Sequence, residues 1–277
     1  MLNWLLDPLA FGFFGRALLA AIIVGVVCAV IGSYVVLRGM AFLGDALPHA
    51  ILPGVVVAYF LDVPLALGAL VVGIAAALGI GAISKQGQIK EDTAIGVVFA
   101  GTFALGVAML SATNNYTVDL AHFLFGNLLG VSSTDLWVIG GLGLVVLATV
   151  AFFYKEFMVV SFDMVLATTL RLPTAFLNYL LLVLIAVTIV VSLQVVGIAL
   201  MVAMLVTPAA AASMLTRRLW AMMVVAALIG SFSGVVGLYS SFYLNIASGP
   251  AVVLVATAVF ALTFLFAPQR GLIWRRQ

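Results

Sequence analysis

The chain has 277 residues, of which 66% are hydrophobic and only 7% charged, with a formal net charge of +2. A soluble domain carries about 25% charged residues, so the composition excludes one. A net charge of +2 with no basic cluster also excludes nucleic acid as a partner. What remains is an all-α polytopic membrane protein.

Residues 1–16, MLNWLLDPLAFGFFGR, mix Trp, Phe and Leu with Asp7 and Arg16, a pattern that suits a helix lying in the membrane interface. No Lys or Arg precedes Arg16, so no cleavable leader is expected. A span needs about 20 apolar residues. Dividing the chain on that scale predicts spans at 17–37, 41–60, 64–83, 93–111, 135–154, 176–192, 195–215, 219–241 and 250–267. That makes nine transmembrane helices, or eight if one is interfacial or re-entrant. Cytoplasmic loops hold the excess of Lys and Arg. A cytoplasmic C-terminus places Arg38, Lys85, Lys90, Lys155, Arg171, Arg217, Arg218, Arg270, Arg275 and Arg276 inside and leaves only Arg16 outside. No repeat or linker divides residues 1–277, which read as a single transmembrane domain. Cys28, in an apolar run, reads as a small core residue.

Within the second span, GMAFLGDALPHAILPG carries Asp45 and His49. An ionisable residue inside a membrane is costly and marks a substrate or ion path by default. Four residues apart on a helix, the carboxylate and imidazole share one face and can grip one metal ion. Counting from Arg38 at the interface puts them toward the bilayer midplane. Pro48 and Pro53 remove backbone donors and can kink the helix there, freeing carbonyls of Gly44 and His49. The alternative is a buried pair that steadies helix packing.

In the outer segment 112–134, Asp119 and His122 are candidates for a second metal site, or lie on a solvated interfacial helix. The inner segment 155–175 has Asp163 where a helix N-cap would stand and Pro173 as a stop, predicting a short cytoplasmic helix parallel to the membrane. Further on, Pro208 with Ala209 to Ala212, and the GxxxG step of Gly230 and Gly234, read as close helix packing. The methionines are scattered, which fits core filling better than a copper(I) conduit. No phosphate-cradling loop precedes Lys85, Lys90 or Lys155, and no G-x-S-x-G elbow occurs, so neither ATP binding nor enzyme catalysis is expected of this chain.

GDALPHAILPG resembles the signature of the membrane permeases of ATP-binding-cassette importers for manganese, zinc and iron. The resemblance continues through FLFGNLLGVSSTDLW, FDMVLATTLRLP, VGIALMVAMLVTPAAAASMLTRRL and SGPAVVLVATAVFALTFLFAPQRG, and so covers almost the whole chain. It implies a homodimer in the bacterial inner membrane, a cytoplasmic ATPase dimer that binds the ATP, and an external metal-binding protein. No cofactor is expected on the chain itself, and the divalent metal (Mn²⁺, Zn²⁺ or Fe²⁺) is cargo. The resemblance makes Asp45 and His49 the metal ligands, and a twofold axis would unite two such pairs. It makes Phe162, Asp163, Ala167, Arg171, Leu172 and Pro173 the coupling segment that docks on the ATPase.

The sequence departs from the family pattern at Pro48, where serine is usual, and at Arg171, where glycine is usual. The LPG that ends at Gly54 is more like the manganese and iron members than the zinc members. The rival readings are an ion-coupled carrier or channel that needs no ATPase, with Asp45 as its cation site, and an importer of a metal chelate.

Overall fold

A computed structural model describes residues 7–84, 89–112 and 128–267, and every regular element among them is helical. In chain order these are α1 (Gly12–Leu37), α2 (Ala41–Ala50), α3 (Leu52–Phe60), α4 (Leu65–Ser84), α5 (Glu91–Ser111) and α6 (Ser133–Phe152). There follow α7 (Tyr154–Phe162), α8 (Met164–Thr169), α9 (Thr174–Val196), α10 (Ile198–Leu215), α11 (Leu219–Leu244) and α12 (Ser248–Phe266). Among the described residues eight stretches are long and apolar enough to cross a membrane, with α2 and α3 together forming one of them. α10 adds a ninth helix of 18 residues, the lower end of what can span. The chain is a multi-pass membrane protein.

Expected spans and observed helices differ by a few residues at their ends, with two exceptions. The first span begins at Gly12, so Gly12–Arg16 extends α1 instead of lying in a separate interfacial helix, and only a 3-10 turn at Pro8–Ala10 precedes it among the described residues. The segment 155–175 holds two helices rather than one. Asp163 is extended (φ −151°, ψ 101°), ends α7, and turns its carboxylate to cap α8.

Helices apolar on every side give no stripe from which to read their packing. Burial supplies it: 67% of the spanning window of α1, 72% of that of α2–α3 and 67% of that of α9 is buried, against 17%, 22% and 17% for α5, α6 and α12. α1 is thus the central post, packed on α11, α10, α6 and α9. In lipid there is little hydrophobic force between helices, and small residues let backbones approach. Gly230 of α11 lies so near α1 that an added methyl would fall 2.9 Å from the Gly25 carbonyl oxygen, and one at Gly234 would fall 3.1 Å from the Ala21 methyl. Large side chains such as Trp137, Leu144 and Leu228 are exposed.

Candidate functional site

Asp45 and His49 stand one turn apart on α2, Asp45 exposed and His49 half-buried, and both line one open cavity of about 840 Å³. The rest of the wall comes from the end of α9 and start of α10 (Val196, Ile198, Val202) and from the start of α12 (Gly249, Pro250, Val253). Among the described residues every other one lining it is apolar, so of these the carboxylate and imidazole are the ionisable groups. Among the described residues no third His, Cys, Asp or Glu joins them in a cluster. Asp119 and His122 lie outside the described residues.

Local chemistry explains how α2 holds the pair. Pro48 stays inside α2, and the break comes instead at Ile51, after which Pro53 occupies the first turn of α3. A first-turn proline is tolerated because its missing N–H would have no helical partner there. The carbonyls of Gly44 and His49 still lack an i+4 donor, because Pro48 and Pro53 have no N–H. Gly44 lets α2 close on α10: a methyl there would fall 3.1 Å from Leu205 Cδ2.

The imidazole is oriented by α5. His49 meets Phe103 edge-on, with ring centroids 5.8 Å apart at 79°, and lies tilted on Phe99 at 6.1 Å. Phe99 and Phe103 stack on each other at 5.8 Å, and Phe42 meets Phe99 edge-on at 6.1 Å. Such aromatic pairs add about 0.5–1.5 kcal/mol each beyond area burial. Sequence reasoning missed Phe99 and Phe103; their i, i+4 spacing marks a common face but not the neighbour it meets.

Gly197 was missed as well. It alone separates α9 from α10, with φ 76° and ψ 170°, at the rim of the cavity between Val196 and Ile198. That backbone region is essentially restricted to glycine. The expected break, near residues 193–194, is instead the last turn of α9.

The segment expected to couple to an ATPase forms α7 and α8. Asp163 Oδ1 accepts the N–H groups of Val165 and Leu166, both at 2.9 Å. α8 ends with Arg171 in the left-handed region (φ 56°), its N–H on the Thr168 carbonyl at 3.0 Å and the Leu172 N–H on the Ala167 carbonyl at 3.1 Å. These bonds form a Schellman cap with arginine in the glycine position. Ala167 is buried, Leu172 half-buried, and Pro173 caps α9. Phe162, Met164, Val165, Leu166 and Leu170 are exposed, an apolar face that neighbouring residues leave uncovered. Pro208 and Ala209 are buried in α10, and Gly230 and Gly234 lie on the α1–α11 seam.

Residues 10–267 match the family model for the ABC 3 transport family. The chain is 48% identical to the manganese transport system membrane protein MntC of Listeria innocua, over 96% of this chain and 95% of that protein. It is 42% identical to the chelated iron transport system membrane protein YfeD of Yersinia pestis, over 94% of this chain and 87% of that one. The solved structure of PsaBC from Streptococcus pneumoniae in complex with Fab superposes with a TM-score of 0.86 at 36% identity, covering 100% of both chains.

Proposed function

The chain belongs to the ABC 3 transport family, and from that premise we propose that it is the permease subunit of an ATP-driven importer for a divalent transition metal. Manganese is the first choice, with iron or zinc next. The observation that carries this reading is the placement of Asp45 and His49 together on a cavity whose other lining residues, among those described, are all apolar. Carboxylate plus imidazole suits Mn²⁺, Fe²⁺ and Zn²⁺ alike. The relatives named for manganese transport tip the choice.

Two ligands do not complete a coordination shell, and one chain offers no third among the described residues. A second copy across a twofold axis would supply another Asp45 and His49, giving four ligands from one pair per chain. The apolar face of α7–α8 is the docking element for a cytoplasmic ATPase dimer that binds and hydrolyses the ATP. An external binding protein delivers the metal to the opposite side. The Lys and Arg distribution puts the C-terminus in the cytoplasm of a bacterial cell, with the chain in its inner membrane.

Transport in this scheme is a cycle of site exposure. Metal released from the binding protein enters the cavity, exchanges part of its water shell for Asp45 and His49, and leaves on the other side when the helices around the pair shift. The imidazole must be neutral at its metal-facing nitrogen, and its ring is held by Phe99 and Phe103.

Metal accumulation in cells carrying Asp45→Ala or His49→Ala beside wild type tests the assignment. Each variant is expected to assemble with the ATPase yet lose uptake by roughly tenfold or more, since even a second-shell partner of a metal ligand is worth 10–100-fold. Wild-type uptake in either variant overturns it. The size of the cavity, about 840 Å³, also accommodates a chelate. Uptake of a chelate that survives loss of both side chains would favour that second reading.

A further inference from the structure

The last two turns of α1 run along α7. Buried Tyr34 meets Phe157 edge-on with ring centroids 5.8 Å apart at 70°. One turn further, Arg38 Nε donates to Ser161 Oγ at 3.3 Å. The step from Tyr34 to Arg38 matches the step from Phe157 to Ser161, so the two helices are held in register. The same guanidinium donates through Nη1 to the side-chain carbonyl of Asn178 on α9. Burial pulls the Arg38 pKa down from its ordinary value, and the carboxylate of Glu91, at the start of α5, pushes it back. Glu91 and Asn178 also line an open pocket of about 260 Å³ with Ser84, Met164 and Tyr179. Arg38 therefore stands where the ends of α1, α5, α7 and α9 meet.

The chain leaves Arg38 without slack. The Gly39 N–H bonds the Val36 carbonyl at 3.2 Å and the Met40 N–H bonds the Val35 carbonyl at 3.0 Å, closing α1 in a Schellman turn with Gly39 at φ 70°. Met40, buried, is already the N-cap of α2, the helix that carries Asp45 and His49. A displacement of α7 that drags the guanidinium therefore moves the root of α2 directly, with no loop to absorb it.

We propose that Arg38 is a positioning residue for transport, linking the α7–α8 coupling segment to the helix that carries Asp45 and His49. The inference rests on the importer reading above and adds the element through which the ATPase reaches the metal pair. Arginine suits the task because its planar fork addresses Ser161 and Asn178 in fixed directions at once, which a lysine ammonium cannot.

The test uses the complete complex, with ATPase and external binding protein, in proteoliposomes, and reads the number of Mn²⁺ ions moved per ATP hydrolysed. Arg38→Ala is expected to assemble and to hydrolyse ATP at the unstimulated rate, while metal moved per ATP falls roughly tenfold, a coupling of ordinary size. Arg38→Lys should fall between, and Asn178→Asp, which offers the guanidinium a carboxylate, should hold the wild-type ratio. A staple with only a structural role would lower yield and leave the ratio alone. Should Arg38→Ala fail to assemble, Asn178→Leu carries the same expectation, since it keeps the guanidinium and removes its acceptor. A wild-type ratio in Arg38→Ala or, failing its assembly, in Asn178→Leu overturns the link and leaves the importer reading standing. A wild-type complex that moves none of Mn²⁺, Fe²⁺ and Zn²⁺ overturns the importer reading itself and this one with it.

Discussion

A methyl group added to Gly32 of α1 would fall 1.8 Å from the carbonyl oxygen of Leu205 on α10. The two helices cross backbone on backbone there, and Leu205 is also the residue against which Gly44 of α2 packs. One crossing thus sets the distance between the central post, a wall of the cavity and the helix that bears the pair.

Gly32→Ala should consequently force α1 and α10 apart and cost about 3 kcal/mol or more, the upper range for overpacking. Gly79→Ala and Gly101→Ala, whose added methyls meet nothing within 4 Å, should be neutral or stabilising by up to about 1 kcal/mol. Thermal unfolding of the detergent-solubilised proteins distinguishes the two classes. A Gly32→Ala protein as stable as the Gly79→Ala protein would contradict the backbone contact.

Gly197→Ala should be nearly as damaging, for a reason of backbone conformation. With φ 76° and ψ 170°, any Cβ there brings about 1–3 kcal/mol of backbone strain, relieved only by turning α10 relative to α9. Because Val196 and Ile198 belong to the cavity wall, the expected result is a lower Tm together with lost uptake.

Phe103→Ala and Phe99→Ala remove the rings that orient His49. Each should reduce metal uptake by roughly tenfold, the lower end of what a ligand's supporting partner is worth, without loss of assembly. Phe103→Leu, which fills space but offers no ring edge, should fall between. Full uptake in both alanine variants would show that the imidazole orients itself.

At the proposed coupling segment, Asp163→Ala leaves the N–H groups of Val165 and Leu166 without their acceptor and should cost α8 about 1 kcal/mol, while Asp163→Asn retains most of the cap. Co-purified ATPase measures the effect. Arg171→Gly should act oppositely: it relieves about 1 kcal/mol of left-handed strain at φ 56°, so the Schellman cap tightens and binding to the ATPase holds or rises.

The spans were legible because the transfer of apolar side chains into hydrocarbon is a property of each residue alone. Hence 64–83 was expected and Leu65–Ser84 is found. The breaks were harder to read because they turn on single backbone positions. Both prolines of the 41–60 span could kink it, and only the position of Pro53 in the first turn of α3 tells it from Pro48, which α2 contains whole. Asp163 was legible as a cap, yet not as the end of a preceding helix. The pair itself followed from the four-residue spacing and the cost of charge in lipid. Its surroundings did not, because helices apolar on all sides conceal which face meets which: nothing in the sequence alone brings Phe99 to His49 or Asn178 to Arg38.

The Schellman elbow at Gly39 and Met40 makes the stretch from Arg38 to Asp45 a measured length. Each residue turns an α-helix by about 100°. One residue added or removed after Met40 would swing Asp45 and His49 off the cavity toward the buried face now held by Leu43 and Leu47. Substitution in this stretch alters the furnishing of the site, whereas insertion or deletion changes its address. The count of residues between elbow and pair is therefore as much a part of the site as the two side chains.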